Sequence, residues 1–427
     1  MAKSKRKLAK FDDFLKLSNF FYTSVGVRPY EKPGFIQGTS LLSSFIFYFG
    51  VINMNCMLVC EIIYVLRAFA TGENILQAIM TMSYIGFVLV GDFKMLYVWS
   101  QKSALTIFVQ RLMKMFPLDL ELQKEYRMQY YLSQCTTVTV GFSMLYMILI
   151  WTYNLFAITQ YFIYDKWLQT RVVGQELPYT MFYVWDWRDN WSYYLMYFLQ
   201  DVAGYTSAAG QISSDLMLCA FATQLVMHYD YVSKTMTNYV VKLGSEDVEN
   251  MDKKINRNLN AIAIVQAKAQ AEDMQFLQEM IRYHENLLNL SEELNNIFGV
   301  PLLLNFATSS FVICFVGFQM TIGAAPDTLI KLFLFLISSI AQVYLICHYG
   351  QLLIDASINV ADAVYNQNWS NAEIRYQKML VLMAERAQKP AQLKATTFVL
   401  ISRGTMTDLM QLSYKFFALL RTMYVTK

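Results

Sequence analysis

Three charged side chains share the last apolar stretch of the chain, residues 405–425. Asp408, Lys415 and Arg421 stand among leucines, phenylalanines and a valine in a segment long enough to cross a membrane. At the bilayer centre an ionised side chain costs about 2.5 to 3.5 kcal/mol, whereas each Leu, Phe or Val returns only about 0.3 to 0.6. The stretch therefore predicts a helix whose polar face meets water or protein, at a pore or an assembly axis. The alternative is that Asp408 and Arg421 lie at the interfaces and Lys415 snorkels.

Residues suited to catalysis or metal binding are scarce. The histidines, His228, His284 and His348, lie in separate segments, and the six cysteines form no CxxC pair. HExxH and GxSxG motifs are also missing from the sequence. We therefore predict that the chain is not an enzyme and has no metal site and no cofactor.

The composition is that of a polytopic membrane protein. Of the 427 residues 56% are hydrophobic and 16% are charged, against about 25% charged in soluble domains. The net charge of +3 gives no support for nucleic-acid binding. Apolar runs of spanning length predict an all-α fold with seven transmembrane helices in membrane lipid. These runs fall at about residues 40–66, 75–99, 133–160, 193–227, 299–323, 328–350 and 404–425.

The predicted spans divide the chain into membrane and cytosolic parts. These parts are a cytosolic N-terminus with an interfacial helix (1–39), transmembrane helices 1–4 (40–228) with an aromatic outer loop (161–192), a cytosolic helical segment (229–298), helices 5–6 (299–350), a second cytosolic helical segment (351–403) and a pore-lining helix 7 (404–427). Pro301 stands where a new helix could begin. The cytosolic segments are amphipathic and predict a helical anchor bundle, packed either between subunits or within one chain.

Basic residues indicate the orientation. They concentrate at the N-terminus, after predicted helices 2 and 4, and before helix 7. By the positive-inside rule the N-terminus is cytosolic and the C-terminus extracellular, the inverse of a G-protein-coupled receptor. The outer loop then holds the sequon Asn190-Trp191-Ser192, which makes Asn190 a candidate glycosylation site. The same loop is rich in Trp and Tyr, as expected of an interface belt or a lid over a small-molecule site.

Several motifs of the C-terminal third, in order and spacing, resemble the insect odorant receptor family. They are His284 with the apolar positions up to Phe298, CHYGQ at 347–351, Tyr365 four residues before Trp369, QKP at 388–390, and SYKFFALL at 413–420. Leu420, followed by Arg421, stands where co-receptor and gustatory relatives have the Gln of a TYxxxxxQF motif. The chain therefore resembles a ligand-tuning subunit more than the co-receptor.

The resemblance implies an odorant-gated, non-selective cation channel in the plasma membrane of olfactory sensory neuron dendrites. The partner would be an odorant receptor co-receptor subunit, in a hetero-oligomer expected to be a tetramer. Helix 7 of each subunit would surround one central pore. The matching gate positions are Ser413, Phe417, Leu420 and Arg421.

The gate positions and the polar stripe of helix 7 lie on different faces. At about 100° per residue the four gate positions share one side of the helix, with Phe417 as a hydrophobic constriction. The polar stripe is nearly opposite and comprises Thr405, Asp408, Gln411 and Lys415. We take the family mapping for the gate and expect Asp408 and Lys415 to contact neighbouring helices.

The resemblance also places a small volatile odorant in the outer half of the membrane, among helices 2, 3, 4 and 6. An apolar, aromatic and Met-rich cavity suits such ligands, because buried area supplies affinity and Met side chains adapt to shape. The candidate ligand-binding residues are Met80, Tyr84, Phe87, Ser143, Met147, Ile150, Trp151, Tyr197, Asp201, Tyr205, Leu332 and Phe335. Asp201 and Asp215 stand out, since isolated carboxylates in a span need partners. For Asp215 we expect hydrogen bonds to Ser or Tyr neighbours.

Other functions remain open at this point. A gustatory-receptor-like ligand-gated channel is the nearest alternative, followed by a G-protein-coupled chemoreceptor. The latter predicts an extracellular N-terminus and DRY-like and NPxxY-like motifs, which the sequence lacks. An intramembrane enzyme would need a paired acid-base set, and a transporter would need inverted repeats or helices broken at mid-membrane.

Overall fold

The computed structural model describes residues 8–32, 40–169, 174–188, 190–242, 259–322, 326–396 and 398–425, and they are mostly helical. The helices in chain order are α1 (Phe11–Ser24), α2 (Leu41–Thr71), α3 (Ile75–Ser100), α4 (Lys102–Met115), α5 (Leu120–Glu125), α6 (Met128–Ile150), α7 (Phe156–Gln160), α8 (Ser192–Asn238), α9 (Leu259–Thr321), α10 (Pro326–Tyr365), α11 (Ile374–Ala387) and α12 (Arg403–Val425). Two π-helical segments, Trp151–Leu155 and Tyr161–Trp167, flank α7. The strands β1 (Lys394–Ala395) and β2 (Val399–Leu400) form an antiparallel hairpin.

Helix α8 is the centre of the molecule. Every residue from Thr206 to Tyr229 is buried, because α1, α2, α3, α6, α9 and α10 all pack around it. This position explains why α8 is more polar than the other spans. Its buried serines and glutamines and Asp215 face other helices instead of lipid, which is where polar groups of a membrane helix are tolerated.

Five of the described helical stretches are long and apolar enough to cross a membrane. They are Leu41–Thr71, Gln77–Ser100, Met128–Ile163, Ile264–Thr321 and Thr328–Tyr365. They coincide with five of the predicted spans. The other two predicted spans are helical as well, in α8 and α12, but both are more polar. The all-α, polytopic membrane fold predicted from the apolar runs is confirmed.

The helices do not end where the predicted membrane spans end. Helix α9 runs without a break from Leu259 to Thr321 and holds Pro301 in its interior, so the expected new start at Pro301 is wrong. Proline removes one backbone donor from a helix, and α9 tolerates this loss because α3, α10 and α12 pack along it. Helix α10 likewise continues past residue 350 to Tyr365. The limits of the predicted cytosolic segments therefore lie inside continuous helices.

The predicted amphipathic segments outside the spans pack against one another. The Tyr239 ring stacks on Phe276 of α9 with centroids 3.6 Å apart, and Leu287 and Leu294 are fully buried. Burial lowers the pKa of His284 to about 4, so this histidine is neutral at physiological pH. These contacts join the end of α8, the first half of α9 and α11 into one helical bundle within the chain.

The N-terminal helix α1 is amphipathic as predicted. Phe11, Phe14 and Leu15 are buried, whereas Phe20 is 60% exposed. Its apolar side packs on α6 and α8, and the Ser18 hydroxyl donates a hydrogen bond to the Ser213 carbonyl. The helix is therefore docked on the central helix. Its location at the membrane interface stays a prediction.

Candidate ligand-binding site

A mainly apolar cavity lies between five helical elements and the outer loop. Its internal volume is about 60 Å³. Its lining comprises Met54, Met57, Leu58 and Glu61 of α2; Tyr84, Phe87 and Val88 of α3; Leu149, Ile150 and Tyr153 of the third span; Gln200, Ala203, Gly204, Ser207 and Ala208 of α8; Phe335 of α10; and Tyr179 and Met181 of the loop. A lining of apolar and aromatic side chains with a few polar groups suits a small, mainly apolar organic molecule.

Aromatic rings form one wall of the cavity. The Tyr84 ring lies 5.7 Å from Tyr153 and 5.8 Å from Tyr179, centroid to centroid. Phe335 lies 5.6 Å from Phe87 and 6.1 Å from Tyr84. Edge-to-face pairs of this kind add stability beyond the area that they bury. The wall is therefore a connected cluster, and a ligand meets rings held in place by other rings.

Most polar groups around the cavity are engaged in holding the wall and the loop. The Tyr179 hydroxyl donates to Asn154 Oδ1 at 2.6 Å, and the Tyr153 hydroxyl donates to the Lys331 carbonyl at 3.0 Å. Gln200 accepts from the Tyr179 backbone N–H at 3.0 Å and donates to its carbonyl at 3.2 Å. These bonds fix residue 179 of the aromatic outer loop over the cavity.

The cavity brings together part of the predicted ligand site. Tyr84, Phe87, Ile150 and Phe335 all line it. Two further candidates, Met80 and Leu332, pack behind the aromatic wall in the cluster of Leu149, Tyr153 and Phe335. Both residues therefore support the aromatic wall from behind.

Four of the remaining candidates point elsewhere. Met147 and Trp151 are each 49% exposed and do not line the cavity. The Ser143 hydroxyl donates to the Thr139 carbonyl in its own helix at 2.7 Å. The Tyr205 hydroxyl donates to Ser24 Oγ at 2.7 Å and so ties α8 to α1. The sequence alone did not show which side of each helix faces the cavity and which side faces outward.

The last two candidates lie in the outer part of α8. The Tyr197 hydroxyl donates to the Asn154 carbonyl and also accepts from the Ile158 N–H at 3.1 Å. The Asp201 carbonyl accepts from Asn154 Nδ2 at 3.2 Å. Both residues therefore brace the π-helical segment that follows α6. Neither is among the cavity-lining residues.

The sequence prediction of an interface belt or a lid covered the loop in general terms, but α2 was not among the helices expected to form the site. Glu61, Met57 and Leu58 come from the first span, and Tyr179 and Met181 come from the segment between the third and fourth spans. Glu61 did carry a signal, because it is an ionisable residue in a predicted span. The loop residues carried only their aromatic and apolar character.

A buried polar network lies next to the cavity. The Lys94 ammonium and the Asp215 carboxylate are 2.7 Å apart. Gln342 Nε2 donates to Asp215 Oδ2 at 2.6 Å, and Lys94 also donates to Asn305 Oδ1 at 3.2 Å. The expectation that Ser or Tyr neighbours hold Asp215 is therefore wrong, because the described partners are Lys94 and Gln342.

The network reaches the cavity wall through one further residue. Gln211 accepts from Gln342 at 3.1 Å and donates through Nε2 to the Phe87 carbonyl at 2.6 Å. Phe87 lines the cavity. The network thus connects α3, α8, α9 and α10 directly beside the aromatic wall.

Helix α12 packs with one side on α9 and α10. Ser413 is buried, and its hydroxyl donates to the Leu409 carbonyl at 2.9 Å. Phe417 and Leu420 are half-buried and Arg421 is exposed. The polar residues Asp408, Gln411 and Lys415 are exposed on the other side.

The predicted glycosylation site is accessible. Asn190 is exposed just before the start of α8. Its carbonyl accepts from the Tyr193 N–H at 3.1 Å, so the sequon leads directly into the first turn of α8. Whether it is glycosylated stays a prediction.

The fold is that of a polytopic helical membrane protein with an apolar cavity among its helices. The family model described as 7tm Odorant receptor matches residues 74–414. The chain belongs to the odorant receptor family, a family of ligand-binding receptors and not of enzymes.

The relatives indicate a tuning receptor. Odorant receptor 85b of Drosophila melanogaster is 48% identical over 97% of this chain and 99% of its own length. Odorant receptor 85c of the same species is 47% identical over 96% of this chain and 99% of its own length. The structure of the insect olfactory receptor OR5 from Machilis hrabei in complex with eugenol superposes with a TM-score of 0.75. That match covers 97% of this chain and 98% of the other at 13% identity, and shows the shared fold.

Proposed function

We propose that this odorant receptor is the odorant-binding subunit of a heteromeric odorant-gated, non-selective cation channel. A small volatile molecule binds in the cavity lined by Tyr84, Phe87, Ile150 and Phe335. Its partner is the odorant receptor co-receptor subunit, and the complex works in the plasma membrane of olfactory neuron dendrites. The single observation that carries this proposal is the apolar, aromatic cavity between α2, α3, α8 and α10 in a chain of this family.

The ligand site is tested by removing one ring of the aromatic wall. Phe335→Ala is expected to raise the concentration of odorant for half-maximal current about tenfold to hundredfold. Losing a buried aromatic contact costs about 1.5–3 kcal/mol, and every 1.4 kcal/mol is about tenfold in affinity. The measurement is whole-cell current in cells that express the chain with the co-receptor, screened with a panel of volatiles.

The matched control is Phe333→Ala on the same helix. Phe333 is 52% exposed, whereas Phe335 is 3% exposed, so this variant should keep the wild-type response at equal surface expression. Equal losses in both variants would contradict a ligand contact at Phe335. Volatile-evoked G-protein signalling without current, in cells with or without the co-receptor, would overturn the channel proposal.

We propose that α12 lines the pore, with Phe417, Leu420 and Arg421 at the gate. Support comes from its charged residues, which a lipid-facing helix could not carry at this number. The Phe417 ring also lies against α9, 3.7 Å from where a β-carbon of Gly317 would stand, which is an ordinary van der Waals distance. Because Ser413 is buried within the chain, the gate that we propose for this conformation does not include it. The exposed stripe of Asp408, Gln411 and Lys415 meets a neighbouring subunit.

The two sides of α12 are distinguished by a pair of substitutions. Phe417→Ala is expected to raise the current without odorant severalfold, because a hydrophobic constriction that excludes water is lost. Lys415→Met removes a charge from the opposite side and should leave the reversal potential unchanged. A shifted reversal potential in Lys415→Met, with normal gating in Phe417→Ala, would place the polar stripe in the pore instead.

A further inference from the structure

One carboxyl group stands in the otherwise apolar cavity without a partner. Glu61 is 4% exposed, and its Oε2 atom is buried with no hydrogen bond to any residue that the structure describes. None of the ion pairs within the described residues includes it. Burying a polar group without a hydrogen bond costs free energy. The position of Glu61 in the cavity wall therefore requires an explanation.

The carboxylic acid is the form of Glu61 that this cavity accommodates. No basic side chain is among the lining residues, and an unpaired ionised carboxylate is far costlier to bury than a neutral acid. The neutral acid carries one O–H donor. Glu61 shares the cavity lining with Met57, Tyr84 and Phe335, so a ligand in the cavity can offer an acceptor for that donor.

A second buried polar atom of the lining without a hydrogen bond in the described part of the chain is the Ser207 hydroxyl. A serine within a helix can rotate to donate to the carbonyl four residues earlier. Its hydroxyl can therefore be satisfied within α8. The longer Glu61 side chain is thus the better candidate for a hydrogen bond to a ligand.

We propose that Glu61 donates a hydrogen bond to an oxygen atom of the odorant, so that the cavity selects neutral oxygen-bearing volatiles over hydrocarbons of the same shape. This inference rests on the proposed function of the cavity. The favoured ligands are ketones, esters and alcohols with one accepting oxygen and an apolar tail. The tail lies against the aromatic wall, and the oxygen lies at α2.

The experiment compares each ketone with a hydrocarbon of the same shape. The probes are straight-chain methyl ketones from pentan-2-one to decan-2-one, each paired with the alkene in which =CH₂ replaces =O. Whole-cell dose–response curves are recorded with the co-receptor for wild type, Glu61→Gln, Glu61→Leu and Ser207→Ala. The ratio of alkene to ketone half-maximal concentrations cancels effects on expression and gating, which both probes share.

In wild type the ketone should be favoured about three- to tenfold, the size of one neutral hydrogen bond. Glu61→Gln should keep most of this ratio, because the amide N–H₂ group can still donate. Glu61→Leu should lower the ratio to about one while the alkene still evokes current. That retained response shows that the variant is folded. Ser207→Ala should keep the wild-type ratio of the two probes, whatever its effect on the absolute response, because its hydroxyl can donate within its own helix.

The opposing outcomes separate the two proposals. A ketone preference that survives in Glu61→Leu, or that disappears in Ser207→Ala, overturns the role of Glu61 and leaves the odorant cavity in place. Activation by the matching amines that Glu61→Gln abolishes would show an ion pair and also overturn the neutral-acid proposal. If no probe evokes current in wild type although both subunits reach the surface, the proposed function fails and this inference fails with it.

Discussion

Replacing Lys94 by Met is expected to remove most of the folded receptor from the cell surface. The Lys94 ammonium lies 2.7 Å from the Asp215 carboxylate, and the two side chains are only 1% and 2% exposed. Without Lys94 the buried carboxylate loses its counter-ion, and breaking a buried pair from one side costs about 3–5 kcal/mol. Proteins of ordinary stability have about 5–15 kcal/mol in all, so a large part of the stability is lost.

The reciprocal and double substitutions make this prediction specific to the pair. Asp215→Asn should be as harmful as Lys94→Met, because it leaves a buried ammonium group alone. The double variant Lys94→Met/Asp215→Asn carries no unpaired charge and should recover most of the stability. Gln342 keeps Gln211 and Asn305 as acceptors in that variant, at 3.1 Å each. The measurements are the surface fraction by labelling and the melting temperature of the solubilised protein.

An exposed ion pair of the same length provides the control. Lys102 and Glu31 are also 2.7 Å apart, but they are 30% and 57% exposed. Exposed pairs contribute little because water solvates both charges after the pair is broken. Lys102→Met should therefore keep the wild-type surface fraction. A stabilising role of the buried pair is contradicted if the two single variants at positions 94 and 215 melt like wild type, or if the double variant is less stable than either.

The spans could be read from the sequence because lipid leaves little choice. Apolar runs of about 20 residues must be helical in a bilayer. The spans could therefore be predicted without the periodicity of individual side chains. Helix ends were different. Helix α9 continues through Pro301, because packing on three neighbouring helices outweighs one missing hydrogen bond, and no local signal carries that information.

The candidate site was predicted only in part for a related reason. The resemblance suggested Tyr84, Phe87, Ile150 and Phe335, which do line the cavity. Trp151 does not line it although Ile150 does, since neighbouring residues on a helix face directions about 100° apart. The contact of each residue with a ligand stays a prediction. Glu61 was available in the sequence as an isolated intramembrane carboxylate. Its position in the cavity depends on how α2 packs against α3 and α8, which is tertiary information.

The second large effect is expected from Gly91→Ala in α3. A β-carbon at this position would lie 2.5 Å from the Ser207 carbonyl oxygen and 2.7 Å from its hydroxyl. The reverse contact is equally close, since a β-carbon on Gly210 would lie 2.8 Å from the Gly91 carbonyl oxygen. Backbone atoms cannot rotate away as a side chain can, so the added methyl group must push α3 away from α8. Overpacking of this kind costs about 1–3 kcal/mol.

The displacement also reaches the functional parts of the molecule. Ser207 and Ala208 line the cavity, and Lys94 lies one turn beyond Gly91. We therefore expect Gly91→Ala to lower the melting temperature and the surface fraction, and to weaken the odorant response of the receptor that remains. Gly86→Ala on the same helix is the control, because its β-carbon would meet only Val312 Cγ2 at 3.6 Å. Alanine is also the better helix former by about 1 kcal/mol, so Gly86→Ala should be neutral or stabilising. Similar behaviour of the two variants would mean that the close contact between α3 and α8 does not limit the fold.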